Sequence, residues 1–146
     1  MNSAVLASFG GVSRYRGGAF VVLSTELNAA MTVLAVEGSF ASVIGGAPAA
    51  AVVFAGEVDS RTSSDPRVAD LETRVSGAVG AERASLVTDL AQLRSGVRSE
   101  KLGEVATEFD GVHSIERAVK VGSVDAVIRA VELRPQLIAA IERGLA

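Results

Sequence analysis

The chain has 146 residues, close to half of them apolar, with a formal net charge of -3. That length suits one domain, or one lobe of a larger one. Acidic and basic residues are interspersed, so no basic stripe is available to follow a phosphate backbone, and nucleic acid is not an expected partner. The absence of cysteine excludes a disulfide framework, a thiolate metal site and a cysteine nucleophile. It also fits a reducing, cytoplasmic setting.

In chain order, the first residues, Met1-Asn2-Ser3-Ala4-Val5-Leu6, lack the charged and long apolar regions of a secretory signal. A glycine turn, Arg16-Gly17-Gly18-Ala19-Phe20, leads into an apolar run over residues 19–23 that reads as a short strand buried on both faces. Residues 27–31 suit a helical turn. Residues 32–36, Thr-Val-Leu-Ala-Val, read as a second strand and residues 40–44 as a third. A second glycine turn follows, Ile44-Gly45-Gly46-Ala47-Pro48, with Pro48 placed where a first helical turn tolerates proline. Residues 38–56 carry no charge and are long enough to span a bilayer. Gly45, Gly46 and Pro48 break the run near its middle, and a buried strand, turn and helix is expected there, not a membrane span.

Beyond Phe54 the pattern becomes helical. Residues 59–66 read as a polar loop, and Asp65-Pro66 as an N-cap followed by proline at the first helical position. Val68, Leu71, Val75 and Val79 recur at helical spacing, and Leu86, Leu90, Leu93 and Val97 repeat it. Two amphipathic helices joined near Gly80 are predicted, forming an arm. In the last third, Ser123 is expected to cap a helix carrying Val124, Val127 and Ile128. Pro135 is expected to start the final helix, and Gly144 to end it.

Side-chain chemistry is sparse. The single histidine, His113, falls in the helical third, where a structural role at a helix end is expected and no Ser-His-Asp arrangement can be assembled. A metal site is not predicted: Asp65, Asp70 and Glu72 read as a solvated face. No Walker or dinucleotide fingerprint is present. What remains is the backbone. Glycine lets a main chain approach a ligand closely, so amides at two glycine turns could face a negative oxygen.

The residues Arg16-Gly17-Gly18-Ala19-Phe20-Val21-Val22, Leu27-Asn28, Ala41-Ser42-Val43-Ile44-Gly45-Gly46-Ala47, Phe109-Asp110, His113, Gly122-Ser123-Val124-Asp125 and Arg134-Pro135 resemble the C-terminal lobe of the biotin-dependent acyl-CoA carboxyltransferases. The agreement runs through nearly the whole chain. It is closest to the segment fused to biotin carboxylase and biotin carrier domains in acetyl- and propionyl-CoA carboxylases.

The resemblance implies an α/β fold: part of a crotonase-like ββα superhelix, with a glycine-turn core over residues 1–58, a helical-hairpin arm over residues 65–107 and C-terminal helices over residues 108–146. It implies biotin as cofactor, held as carboxybiotin on another domain or chain. The amides of Gly18 and Ala19 would hydrogen-bond its ureido oxygen. Gly17 and Phe20 would lie beside them, Val21 would shape acyl selectivity, and Gly45 and Gly46 would line the second turn. The implied partners are the N-terminal carboxyltransferase lobe, the biotin carrier and biotin carboxylase domains, an acyl-CoA and further copies of the chain; from the broken run over residues 38–56, no membrane is expected.

The N-terminal lobe, the carrier motif and an ATP-grasp region do not occur in this sequence, so the chain alone is expected to be inactive. Two other readings compete. One is a non-catalytic assembly subunit of the same fold. The other is a crotonase-type hydratase or isomerase, disfavoured because Glu37 is the only carboxylate near the glycine turns.

Overall fold

The computed structural model describes residues 32–145, and they are mostly helical. Strand β1 is Leu34–Val36 and strand β2 is Ala126–Ile128; the helices are α1 Ala55–Ser63, α2 Pro66–Gly77, α3 Gly80–Val112, α4 Ile115–Lys120 and α5 Leu133–Leu145. The described residues fall into two compact regions, one formed by residues up to 44 together with those from 110 onward, the other by residues 45–109.

The first region is built on a parallel pair. Leu34 stands opposite Ala126, Ala35 opposite Val127 and Val36 opposite Ile128. Parallel neighbours need a long connection, and here every residue from 37 to 125 lies between the two strands. Asp125 locks the register from one end: its Oδ2 accepts from the Val33 amide at 2.6 Å, and its own amide donates to the Val33 carbonyl at 2.9 Å. At the other end the Glu37 amide donates to the Ile128 carbonyl at 3.0 Å. Val33, Ala35 and Ala41 then pack with Ile115, Ala118 and Val124 into one buried cluster.

Residues 40–44, expected as a third strand, do not form one. Gly38 turns the chain at φ 77°, and the hydroxyls of Ser39 and Ser42 donate to the nearby carbonyls of Val36 and Ile44, each at 2.7 Å. Such local bonds compete with a ladder. Only an isolated antiparallel bridge between Phe40 and Ser114 survives, next to an Ala41 amide bond to the His113 carbonyl at 2.8 Å.

The expected helix over Val124, Val127 and Ile128 is likewise absent, because the residues before it finish α4. Gly122 sits at φ 74°, its amide donates to the Val119 carbonyl, and the Ser123 amide donates to the Ala118 carbonyl at 2.9 Å. This is the paired closure of a glycine-terminated helix, and it sends the chain into β2. The N-cap in this stretch is Ser114, whose hydroxyl accepts from the Arg117 amide at the start of α4. Pro135 falls within the first turn of α5, two residues after its start, and Gly144 lies inside that helix.

The second region is local in design. Asp65 caps α2, with Pro66 at the first helical position. The polar stretch before it is not a loop, since α1 covers most of it; the buried Thr62 hydroxyl donates to the Val58 carbonyl at 2.7 Å within that helix. Asp65 is not on a solvated face either: it is buried and paired with Arg67, whereas Asp70 is exposed. Leu71, Ala78 and Leu86 cluster with Val75, Leu90 and Leu93, closing α2 on α3 across the Gly80 turn, where φ is 60°. The helix from Gly80 is longer than the repeat suggests, passing Gly96, Gly103 and Gly111 before it stops at Val112.

Candidate functional site

Of the residues singled out by the resemblance, Gly17, Gly18, Ala19, Phe20 and Val21 lie outside the described residues. Gly45 and Gly46 are described. Gly45 is extended, with φ -78° and ψ 164°, and forms the N-cap of a single α-turn, Gly46–Pro48, with no side-chain cap hydrogen bond. The Ala49 amide returns to the Gly45 carbonyl at 3.0 Å. Pro48 at the third position loses no helical hydrogen bond, since the first amides of a helix have no intrahelical acceptor.

The segment then widens into a π-helical stretch, Ala49–Val53, closed by the Phe54 amide on the Ala49 carbonyl at 3.0 Å. Sequence reading gives an α-helix here; the wider turn has no signature in a run of Ala and Val. Short π segments recur at functional sites. One side of the segment is fixed by burial: Gly46, Ala49 and Ala50 are buried, and Ala50 packs with Val58 and Val105. The other side is open, with Val52 and Val53 exposed at 78% and 63%. The Phe54 ring meets Phe109 at 6.0 Å between centroids.

The remaining candidates have plain positions. Glu37 is exposed just past β1, a solvated strand end. His113 sits between α3 and α4, and its carbonyl holds the Ala41 amide. Among the described residues no group of three or more His, Asp or Glu side chains is placed to hold a metal ion, and no helix is long and apolar enough to cross a membrane.

Carboxylates along the helices of the second region serve as ion-pair partners. Arg61 spans Glu57 and Glu108, with its Nη1 donating to Glu108 Oε1 at 2.7 Å. Arg67 holds Asp65 Oδ1 at 2.9 Å and Glu100 Oε2 at 2.5 Å, and Lys101 stands 3.8 Å from Asp65 Oδ2. Hydrogen bonds from Arg67 hold both Asp65 and Glu100 below their ordinary range, and Arg61 does the same for Glu108. These groups therefore stay charged at neutral pH, which suits structural anchors and not proton donors.

One contributor was hidden from sequence reading, Asp125 as the clamp on β1. Val-Asp at residues 124–125 carries no sign of a partner so distant in the chain, whereas Ser114, three residues before Arg117, fits an N-cap pattern. No family model matches the chain, and no curated protein matches it.

Proposed function

We propose that this chain is the carboxybiotin-binding lobe of an acyl-CoA carboxyltransferase, contributing half of a crotonase-type site that moves a carboxyl group to the α-carbon of acetyl-CoA or propionyl-CoA. The observation that carries the reading is the Gly45-Gly46 turn: a half-buried, extended Gly45 opens a helical segment, and at that position only backbone can meet a ligand. It agrees with a chain that has little side-chain chemistry and whose resemblance puts ligand contacts at glycine turns.

Carboxybiotin, carried on another domain or chain, supplies the carboxyl group. The residues of this chain hold and orient it. In this reading the amides of Gly18 and Ala19 would hydrogen-bond the ureido oxygen and would stabilise negative charge developed on it. Gly17 and Phe20 would flank those donors, Val21 would limit the acyl chain, and Gly45 and Gly46 would form the other turn lining the site. No side chain of this lobe is required as a base, because the cofactor's ureido nitrogen, freed of its carboxyl group, would accept the α-proton that the carboxyl group replaces. The exposed Val52 and Val53 suit a surface covered by the N-terminal lobe. The alternative of an assembly subunit would draw on the arm, whose Leu86 is buried in its own hairpin while Leu90 and Leu93 are only partly covered there.

The test is reconstitution. The chain alone should not carboxylate either thioester, whereas mixing it with an N-terminal lobe and a carboxybiotin-loaded carrier should restore turnover. In that complex Gly18→Val should lower turnover about a hundredfold or more, the usual scale for losing an oxyanion donor, with acyl-CoA affinity nearly unchanged. Turnover by the chain alone, or a defect confined to acyl-CoA binding, would overturn the proposal.

A further inference from the structure

We infer that the cavity beside α4 is a binding site for a small organic acid, its carboxylate held by Arg117 and its short apolar body seated among the alanines and valines around it. The site is separate from the carboxyl-transfer reading and does not depend on it. The cavity measures about 250 Å³; at about 30 Å³ for each water-sized group, it takes roughly eight of them.

Its lining has two characters. Ala41 and Ala118 are buried and small, leaving room above them, while Val112 and Val121 are exposed at 54% and 62%. Arg117, His113 and Ser114 supply the polar part, and the lining contains no Asp or Glu to repel an anion. Arg117 differs in this from Arg61, Arg67, Arg94, Arg98 and Arg129, each of which meets a carboxylate of the chain. Among the described residues Arg117 meets none; Arg74, Arg83, Arg134 and Arg143 also meet none, but of these five only Arg117 lines the cavity.

Ser114 fixes the start of the helix on which Arg117 rides, by accepting from the Arg117 amide at 3.3 Å. A guanidinium presents a planar fork of donors that matches a carboxylate in two bonds at once. Charge alone would suit inorganic phosphate equally well. The apolar lining is what selects an acid with a hydrocarbon body, because burying it removes both the ligand's and the valines' surface from water.

The probes are butyrate, inorganic phosphate and neutral 1-butanol, titrated into the full chain while the amide resonances of Ala41, Ala118 and Val121 are followed. Butyrate should shift all three saturably, with phosphate and butanol each weaker. Arg117→Gln should weaken butyrate about tenfold or more, as expected when a charged hydrogen bond is lost. Val121→Glu, which puts a carboxylate at an exposed position of the lining, should abolish binding by a separate route, so failure of one variant to fold leaves the other decisive. The inference is overturned if butyrate does not bind saturably, if Arg117→Gln binds it normally, or if phosphate or butanol binds as tightly.

Discussion

The two regions of the molecule are held together by opposite means. Residues 32–44 and 110–145 depend on contacts between distant parts of the chain: Asp125 reaches Val33 across 92 positions, and β1 lies on β2 with the whole of residues 37–125 between them. Residues 45–109 depend on neighbours. There, consecutive helices close on each other through short turns, and the exposed faces are laced by arginine and carboxylate pairs. The first region therefore has a small, shared core in which each contact supports another. The second distributes its stability along many separable ones.

This difference is broken most directly at Ile115, which is 1% exposed at the centre of the cluster joining β1, α4 and the approach to β2. Ile115→Ala should cost about 2–5 kcal/mol, the range for truncating a buried isoleucine to alanine. Hydrogen exchange should quicken sharply at the amides of Asp125 and Glu37, which close the two ends of the strand pair. The amides of α2 and of α3 before residue 110 should change much less. Equal loss of protection in both regions would mean that they unfold as one unit.

The same contrast explains which parts of the fold were legible in sequence. The α2–α3 hairpin was readable because its causes are local: Asp65 caps, Pro66 opens, Gly80 turns at positive φ, and leucines recur at helical spacing. β1 was readable as an apolar β-branched run. β2 was not, since Val127 and Ile128 suit a helix or a strand equally, and the choice is made by Asp125 bonding to Val33 and by Gly122 ending α4. Residues 40–44 failed for a similar reason, because apolar composition promised a strand while two serine hydroxyls bent the backbone back on itself. At the candidate site the glycine turn was visible, but the π-helical widening after Pro48 was not.

A smaller effect of opposite sign sharpens the contrast. Gly96 and Gly103 lie within α3, and a Cβ added at either would meet no atom within 4 Å. Glycine inside a helix is less favourable than alanine by about 1 kcal/mol. Gly96→Ala and Gly103→Ala should each stabilise the second region by about that amount, read as a higher thermal midpoint for its helical signal. Exchange at the Asp125 and Glu37 amides should stay unchanged. A loss of stability in either variant would mean that a neighbouring chain packs closely on that face of α3.

The smallest effect concerns acid and salt. Arg67 holds Asp65 and Glu100 below the ordinary carboxylate range, and Arg61 holds Glu108 there by the same hydrogen bonding. The unfolded chain takes up protons at its ordinary pKa, about 4, before the folded groups do. Their stabilisation is therefore complete above that range and is lost as pH falls through the depressed folded values. The first region has a single such pair, Arg129 with Glu132, among its described residues. Acidification below about pH 4 should accordingly lower the midpoint of the second region more than that of the first. Because the partners of these pairs other than Asp65 are half-exposed, added salt at neutral pH should reproduce only a fraction of the change, through screening. Arg67→Gln tests the cause: it should remove part of the acid sensitivity of residues 45–109 while leaving the strand pair untouched. A variant with the full wild-type pH response would assign the effect to the other pairs and take Asp65 out of the explanation.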